Sequence, residues 1–442
     1  MVKKRVLIAA CAVVSALVVA LLFLFGDGLL TASAPVGESG SKVSLSASSK
    51  PKGEPASSKD ETSSTAPVPA AKDDELRGMW ITYFEIANLF DSKKGFEAAF
   101  NEMLDECQKY KVNALFVHVR SHCDAYYPSK YFPWSKYVSG IKGTQGKEPA
   151  LDPLAYMLEA AHKRGMEFHA WINPYRVSYD STDLALLADN NPAKVWLTDG
   201  DKSNDSWVVS AAGGLYLNPA VEQAQALVIN GIREIVEKYD VDGIHFDDYF
   251  YPTVDESFDE KEYAQYRMNV WDAPLSLEDW RRANVNALVS RAYGTVKSAR
   301  ADCVFGISPM AAIGTNYTTV FADVAAWVEG GYIDYIMPQL YFGFEYPKEE
   351  NRFDVLLKGW EELTADSKAK LYIGLGAYRI GSTDENNVEW SQHSDLLARQ
   401  VVCTRSSDKC NGFVLYSYST FIVDDERHSQ ERSALLKVIN GK

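Results

Sequence analysis

The chain has 442 residues, of which 46% are apolar, so it carries enough apolar material for a large core. Its formal net charge is −15, which excludes the basic surface that binding to nucleic acid requires. Phe, Trp and Tyr make up 12% of the residues. Aromatic faces suit the packing of sugar rings, although most aromatic side chains simply fill a core.

The first 34 residues are predicted to direct the chain to a membrane. A basic cluster at residues 3–5 precedes an uncharged apolar run at residues 6–25, which is long enough to span a bilayer. Positive charge before such a run keeps the N-terminus inside and sends the rest of the chain outward. An Ala-x-Ala motif ending at Ala34 offers a cleavage site. We interpret residues 1–34 as a signal peptide or a signal anchor, which makes the protein extracytoplasmic, either secreted or anchored to the cell membrane.

A linker is predicted to follow at residues 35–74. This segment is rich in Ser, Pro, Ala and Lys and contains no aromatic residue. It can bury too little surface to offset the entropy lost on ordering, so we expect a disordered tether. The predicted catalytic domain takes up residues 75–442.

Within this domain, eight strand-like apolar runs alternate with helical segments, which is the pattern of an α/β protein with the (β/α)8 architecture of a TIM barrel. The predicted strands are 77–84, 114–120, 167–175, 243–249, 304–310, 335–341, 371–378 and 412–418. The predicted helices are 95–110, 153–164, 219–239, 277–300, 323–329, 353–364, 390–403 and 430–439. The alternative fold is an open doubly wound sheet, but no Gly-x-Gly-x-x-Gly motif follows the first strand.

The two ends of the predicted barrel carry different features. Long connections at residues 126–152 and 176–218 leave the C-terminal ends of strands 2 and 3, where barrels build their binding clefts. Asp242 and Asp334 each stand just before a strand. We expect both at the opposite end of the barrel, where they would support the structure.

Side chains along a strand alternate between two faces. In the fourth strand, Ile244 and Phe246 share one face, and His245 and Asp247 share the other. A barrel covered by helices needs the apolar set outside, so the polar set points inward. The other strands and the residues after them, interpreted in the same way, give these candidates for substrate binding: His118, Arg120, Trp171, Asn173, Arg176, His245, Tyr249, Gln339, Tyr341 and Tyr378.

The candidates for catalysis are carboxylates near strand ends, because glycoside hydrolysis usually needs two carboxyl groups. Asp247 is the candidate nucleophile, since barrel enzymes keep their chemistry at the C-terminal ends of strands. Asp248 is the next residue, so its side chain is expected to point elsewhere and to play a supporting role. For the second carboxyl group, Glu345 after strand 6 is the first choice, and Glu85 and Asp124 are alternatives.

Five segments in this order resemble the glycosyl hydrolase-like 10 family, a group of bacterial secreted or lipoprotein barrels. They are RGMWI at 77–81, NALFVHVR at 113–120, HAWINPYR at 169–176, DGIHFDDYFYP at 242–252 and MPQLY at 337–341. The resemblance implies a glycosidase that acts on a bacterial polysaccharide, with the glycan strands of peptidoglycan as a candidate target. We predict no cofactor and no metal.

The Asp-Gly-x-x-x-Asp pattern at 242–247 is also similar to the fourth strand of the α-amylase and α-galactosidase superfamilies. There the last Asp is the nucleophile, which implies this role for Asp247. The α-amylase pattern has Arg where this chain has His245, and its acid on strand 5 has no counterpart here. The α-galactosidase pattern places the acid on strand 6, which favours Glu345.

Three functions are therefore weighed. The first is a glycoside hydrolase that cleaves a polysaccharide outside the cell by paired-carboxylate catalysis. The second is a metal-dependent hydrolase or deacetylase that uses His118, His169, His245 and Asp247, because histidines and a carboxylate in one barrel can bind zinc. The third is a surface barrel that binds glycan without cleaving it.

Overall fold

The computed structural model describes residues 69–441. The predicted targeting segment at 1–34 and nearly all of the predicted linker at 35–74 lie outside the described residues, so both stay predictions. Within residues 69–441, no helix combines the length and the apolar character that crossing a membrane requires.

The described chain contains eleven strands, and eight of them close into a parallel barrel. The strands are β1 Leu76–Ile81, β2 Ala114–Arg120, β3 Glu167–Ile172, β4 Arg176–Ser178, β5 Val208–Ala211, β6 Gly214–Leu217, β7 Gly243–Phe246, β8 Val304–Ile307, β9 Tyr335–Ile336, β10 Lys370–Leu375 and β11 Cys410–Leu415. The barrel order is β1-β11-β10-β9-β8-β7-β3-β2, and β2 pairs with β1 to close it. The predicted (β/α)8 TIM barrel is confirmed.

Helices connect the barrel strands. They are α1 Tyr83–Phe90, α2 Phe96–Lys109, α3 Pro153–His162, α4 Pro192–Thr198, α5 Glu222–Lys238, α6 Glu260–Asn269, α7 Leu277–Ala299, α8 Ile313–Thr319, α9 Val324–Glu329, α10 Phe353–Thr364, α11 Glu389–Gln392, α12 Leu396–Arg405, α13 Tyr418–Phe421 and α14 Glu426–Ile439. Several begin at local capping signals. Asp152 caps α3 by accepting a hydrogen bond from the backbone N–H of Ala155, and Pro153 suits the first turn of that helix.

The predicted strands extend too far at their C-terminal ends. The first was predicted to reach residue 84, but Thr82 and Glu85 form a capping box, so α1 begins at Tyr83. The fourth was predicted to reach residue 249, but β7 ends at Phe246. Beyond the strand ends, the described backbone pairing continues only as isolated parallel bridges, such as those of Gln339 with Met310 and with Gly374.

The long connection after β3 contains a small sheet that the sequence did not reveal. Its strands β4, β5 and β6 pair in the order β4-β6-β5, with antiparallel neighbours. β4 begins at Arg176, only four residues after β3 ends at Ile172. The sheet therefore holds the backbone of Arg176 next to the end of a barrel strand.

Two glycines make room for rings inside the barrel. A Cβ atom at Gly306 would lie 2.3 Å from the ring of Tyr335, and one at Gly243 would lie 2.3 Å from Nδ1 of His169. Phe116 stacks on His169 with ring centroids 4.4 Å apart. This aromatic layer fills the barrel below the mouth, so the groups above it rest on a rigid floor.

At the base of the barrel, two aspartates bind backbone amides of neighbouring strands. The carboxylate of Asp242 accepts the backbone N–H of Phe168 at 2.7 Å, and that of Asp334 accepts the backbone N–H of Phe305 at 2.8 Å. Each residue directly precedes its own strand, so each carboxylate fixes the start of one strand against the next. This is the supporting position expected from the sequence.

Candidate active site

Asp247 follows β7 at the mouth and is held by donors from the end of β3. Its side chain is only 2% exposed. The indole Nε1 of Trp171 donates to Oδ2 at 3.0 Å, and the amide Nδ2 of Asn173 donates to the same oxygen at 3.2 Å. The backbone N–H of Tyr249 donates to Oδ1 at 3.4 Å. The parallel register sets Trp171 beside His245, so the neighbouring strand brings both donors to the carboxylate.

These donors act against the effect of burial on Asp247. Burial raises the pKa of the Asp247 carboxyl group, whereas the Arg176 guanidinium and the donor at Trp171 lower it. The guanidinium is fixed by a hydrogen bond from its Nε to the carbonyl of Ser121 at 3.1 Å and lies over the ring of Tyr249, 4.9 Å from its centroid. The net effect is a pKa above the usual value, and Arg176 and the hydrogen-bond donors limit that rise.

The charge of Asp247 acts on the carboxyl group of Asp248, its neighbour along the chain. The alternation ends with β7 at Phe246, so it no longer separates the two side chains. Burial, and next the charge of Asp247, raise the pKa of Asp248 to about 7, while the amide of Gln339 lowers it. Asp248 is only partly buried. With a pKa of about 7, its carboxyl group is about half protonated at neutral pH.

Tyrosines surround the two aspartates. The ring of Tyr341 lies 5.6 Å from that of Tyr416 and 5.5 Å from that of Tyr378. Tyr83 and Tyr249 lie near this cluster, because both raise the pKa of the Tyr416 hydroxyl. Burial raises the pKa of all five phenols, so they remain neutral hydrogen-bonding groups with large apolar faces. Such faces suit a pyranose ring.

The sequence predicted three of these five tyrosines and missed Tyr83 and Tyr416. Tyr83 was placed inside a strand that in fact ends at Ile81. Tyr416 follows β11, two residues after Val414, which belongs to the aromatic and aliphatic cluster inside the barrel. The period of two along β11 is the signal that would have placed Tyr416 inward.

His118 and Arg120, both predicted to bind substrate, support the neighbouring strand. The His118 ring stacks on Trp171 with centroids 3.3 Å apart, and burial lowers its pKa well below the ordinary value, so the ring stays neutral. Arg120 donates to the backbone carbonyls of Asn173 and Pro174, each at 2.8 Å. Both residues are almost fully buried and fix the end of β3, which carries the donors to Asp247.

His245 and Gln339 lie under and beside the carboxylates. His245 is fully buried and contacts the hydroxyl groups of Tyr335 at 3.0 Å and Ser308 at 3.1 Å. It therefore belongs to the interior below the mouth. Gln339 donates to the backbone carbonyl of Ser308 at 2.9 Å and also acts on Asp248, so it fixes the acid from the side of β9.

None of the three candidates for the second carboxyl group has a described contact with Asp247. Glu345 lies in an exposed loop, where its backbone N–H donates to Glu389 at 3.0 Å. Glu85 is engaged by the backbone N–H of Thr82 and by the hydroxyl of Ser417. Asp124 is buried in the connection after β2, where burial raises its pKa to about 6. The carboxyl group next to Asp247 is instead that of Asp248.

The four residues of the metal hypothesis are spread over different layers. His169 contacts the hydroxyl of Tyr335 at 3.4 Å and the carboxylate of Glu167 at 3.2 Å, towards the base. In the part of the chain that the structure describes, no three His, Cys, Asp or Glu side chains are placed to hold a metal ion. The donor set at the mouth is a carboxyl pair with indole, amide and guanidinium partners.

A family model described as glycosyl hydrolase-like 10 matches residues 75–392. The chain belongs to this family. It is similar to glycosyl hydrolase YngK of Bacillus subtilis (strain 168), with 36% identity over 371 residues that cover 79% of this chain and 69% of the relative. It is also similar to glycosyl hydrolase DigH of Escherichia coli (strain K12), with 30% identity over 375 residues that cover 77% and 82% of the two chains. The resemblance seen in the sequence is confirmed.

A solved structure shares the fold of this family member. The glycoside hydrolase domain of PgaB (BpsB) from Bordetella bronchiseptica superposes with a TM-score of 0.54 and 13% sequence identity, over 82% of this chain and 99% of that chain. This likeness concerns the barrel alone. The five family segments end at or near the mouth in the present structure, which is where Trp171, Asn173, Asp247 and Gln339 meet.

Proposed function

We propose that the protein is a glycoside hydrolase that cleaves O-glycosidic bonds of a bacterial polysaccharide outside the cytoplasm. The observation that carries this proposal is the pair Asp247 and Asp248 at the mouth of the barrel. Their surroundings differ, since Asp247 is held by three donors beside Arg176, whereas burial and the charge of Asp247 raise the pKa of Asp248 to about 7. Two carboxyl groups in different protonation states are what glycoside hydrolysis needs.

In this proposal each aspartate of the pair has its own catalytic role. Asp248 donates a proton to the oxygen of the leaving sugar and later accepts one from water, because its pKa lies near neutral pH. Asp247 acts as the carboxylate that stabilises the positive charge developing at the anomeric carbon. Arg176, Trp171 and Asn173 hold Asp247 in position.

The tyrosines suit the packing of the sugar chain. Tyr341, Tyr378 and Tyr416 lie within about one ring diameter of each other, with centroid separations between 5.5 and 6.1 Å. Their apolar faces match the C–H face of a pyranose ring, and their hydroxyl groups match its hydroxyls.

The proposed location follows from the N-terminal sequence. A basic cluster before an apolar run directs the following chain across the membrane, with the run either cleaved or kept as an anchor. Cell-wall glycan is the polysaccharide that a bacterial enzyme meets there. We therefore propose the glycan strands of peptidoglycan as the target.

The test is the release of new reducing ends from a panel of polysaccharides that includes denuded peptidoglycan strands. We expect wild-type turnover and a loss of at least about 10³-fold in kcat/KM in Asp247→Asn, with an unchanged circular dichroism spectrum. Asp242→Asn, at the other end of β7, is the matched control and keeps full activity. Equal activity of wild type and Asp247→Asn would contradict the proposal.

The same assay separates the two other functions. A barrel that only binds glycan gives sedimentation with the polysaccharide and no reducing ends. A metal-dependent hydrolase loses activity after thorough chelation and regains it with zinc. We expect turnover that is unchanged by chelation.

A further inference from the structure

Asp247 and Asp248 are neighbours along the chain, and this determines the side from which they meet a sugar. Their Cα atoms are about 3.8 Å apart across one peptide bond. β7 has ended at Phe246, so both carboxyl groups lie on the same wall of the mouth, where the charge of Asp247 acts on Asp248. In the two usual mechanisms, a pair of carboxyl groups flanks the scissile bond from different sides. Two groups on one wall do not match that arrangement.

Phenols line the mouth beside this wall. Tyr341, Tyr378 and Tyr416 form one cluster, and burial raises the pKa of each, so they stay neutral and are poor nucleophiles. Among residues 69–441, the other acidic candidates from the sequence are engaged elsewhere. Glu85 binds the first turn of α1, and Glu345 lies in the exposed loop beside Glu389. Neither of these two residues has a described contact with Asp247 or Asp248.

We propose that the substrate supplies the nucleophile, as the 2-acetamido group of an N-acetylhexosamine at the bond that is cleaved. This inference rests on the proposed glycoside hydrolase function. In the first step, the acetamido carbonyl oxygen bonds to C1 while the bond from C1 to the leaving oxygen breaks. Asp248 gives its proton to that oxygen, and Asp247 accepts a hydrogen bond from the amide N–H of the resulting oxazolinium ring.

The second step returns Asp248 and the acetamido group to their starting states. Asp248, now ionised, takes a proton from a water molecule as the water oxygen bonds to C1. The bond from C1 to the acetamido oxygen breaks, and its electron pair returns to the amide. The product is a hemiacetal with the original anomeric configuration, and Asp248 is protonated again.

The contacts of Asp247 suit a hydrogen-bond acceptor for an amide N–H better than they suit a nucleophile. Its two oxygens offer about four positions for hydrogen bonds. Trp171, Asn173 and the backbone of Tyr249 occupy positions on both oxygens, and such donors reduce the nucleophilicity of a carboxylate. Oδ1 has the longer contacts, from Asn173 at 3.3 Å and from the backbone N–H of Tyr249 at 3.4 Å, so it is the oxygen that can accept one further N–H group. The ionised form that Arg176 favours is the form that stabilises a positively charged ring.

Asp248 suits the proton transfers. It is partly exposed, so a leaving oxygen and then a water molecule can reach it. Its pKa of about 7 makes proton donation and acceptance comparably easy near neutral pH. Gln339 holds the side chain from the direction of β9.

The first test uses the wild-type full chain and one glycan in several chemical forms. Denuded peptidoglycan strands and chitin oligosaccharides are assayed as such, after removal of N-acetyl groups, after their chemical restoration, and after N-trifluoroacetylation. Cellulose and starch serve as glycans without an acetamido group. We expect kcat/KM to fall at least about 100-fold on deacetylation and on trifluoroacetylation, and to return on re-acetylation, because an intramolecular nucleophile is lost or weakened.

The outcomes distinguish this inference from the function on which it rests. Equal rates on acetylated and deacetylated glycans, or cleavage of cellulose or starch alone, overturn the inference and leave a glycoside hydrolase. No cleavage of any glycan overturns both.

The second test uses a cyclic thiazoline analogue of N-acetylglucosamine, which resembles the oxazolinium ring. We expect it to inhibit the wild type competitively and to bind at least about 10-fold more weakly to Asp247→Asn, since an interaction of about 1.4 kcal/mol is lost. Asp242→Asn is the control for folding and binds the analogue like wild type. A covalent sugar ester on Asp247, detected by mass spectrometry after reaction with a 2-deoxy-2-fluoro glycoside, would show direct attack and overturn the inference.

Discussion

The aspartates at the two ends of β7 have different roles. Asp242 precedes the strand, and its carboxylate accepts the backbone N–H of Phe168 at 2.7 Å and contacts Nε2 of His162 at 2.8 Å. Asp247 follows the strand and takes its donors from side chains, at Trp171 and Asn173. The same residue type therefore fixes the backbone at one end and is poised for chemistry at the other.

The difference lies in what each carboxylate has as a neighbour. Asp242 fixes the start of β3 against β7, and Asp334 does the same for β8 and β9. Asp247 instead precedes a second, partly buried carboxyl group, and burial and the charge of Asp247 raise the pKa of Asp248. A protein does not gain stability from such a pair, which is why perturbed carboxyl groups in a cleft indicate function.

The largest effect on activity in this comparison is expected for Asp248→Asn. The amide keeps the shape of the side chain but has no proton to give to the leaving oxygen. We expect kcat/KM on glycan to fall about 10²- to 10⁴-fold, the usual range for a general acid. Steady-state release of reducing ends measures this. A glycoside with a dinitrophenyl leaving group needs no proton in the first step, so its kcat/KM in the variant should be close to that of wild type.

The same substitution should increase stability. The pKa of Asp248 is raised from 3.8 to about 7, so the folded state binds more protons than the unfolded state between these values, and stability falls as pH rises through this window. Above pH 7 the wild type carries the full penalty of a buried charge. We expect Asp248→Asn to raise the free energy of unfolding there by on the order of 3 kcal/mol, and by much less at pH 4. Urea unfolding at both pH values checks this, and a destabilised variant at pH 8 would contradict it.

A smaller effect on activity is expected for Trp171→Phe. The substitution removes the indole N–H that donates to Asp247 and keeps a ring to pack on His118. Losing a donor to the ionised form raises the pKa of Asp247, so the acid limb of the pH profile should move to higher pH. We expect a loss of about 10-fold in kcat near neutral pH. An unchanged acid limb would show that the indole N–H does not support the ionised carboxylate.

At the base of the barrel, Asp242→Ala should change stability and leave the chemistry alone. The substitution leaves the backbone N–H of Phe168 without its acceptor at a half-buried position. We expect a loss of about 1 kcal/mol in the free energy of unfolding, with kcat within about 2-fold of wild type. Asp242→Asn, which keeps an acceptor, should lose less. A large loss of kcat in either variant would remove the distinction between the two ends of β7.

The smallest effect is expected for Glu345→Gln. The side chain lies in the exposed loop after β9, in a pocket that Glu389 and Trp390 also line. We expect kcat/KM to stay within about 2-fold of wild type, measured with the same reducing-end assay. A loss comparable to that of Asp248→Asn would restore Glu345 as the acid that the strand 6 pattern favours.

The barrel could be predicted because its signals are periodic. Eight apolar runs separated by helical segments gave the fold, and the period of two along the fourth strand set His245 and Asp247 on the inward face. Trp171 and Asn173 followed from the same rule on the third strand. Both contact Asp247, as their position on the neighbouring strand of a parallel sheet requires.

The details at the mouth could not be predicted, because the period ends where the backbone ladder ends. β7 stops at Phe246, so the rule that separated Asp248 from Asp247 no longer applied to them. Tyr83 was hidden in the same way, by a predicted strand that continued into α1. The roles of Arg120 and His118 depend on which carbonyl or ring lies nearby, and a single sequence does not contain that distance information.

The pH dependence of kcat/KM on denuded glycan strands tests the central claim most directly, because it reports the acid and the base of the free enzyme. Hydrolysis needs Asp248 protonated, so activity should fall as pH rises above an apparent pKa of about 7. In Asp248→Asn this alkaline limb should be absent while the acid limb remains. An alkaline limb that persists unchanged in Asp248→Asn would contradict the assignment of the carboxyl pair.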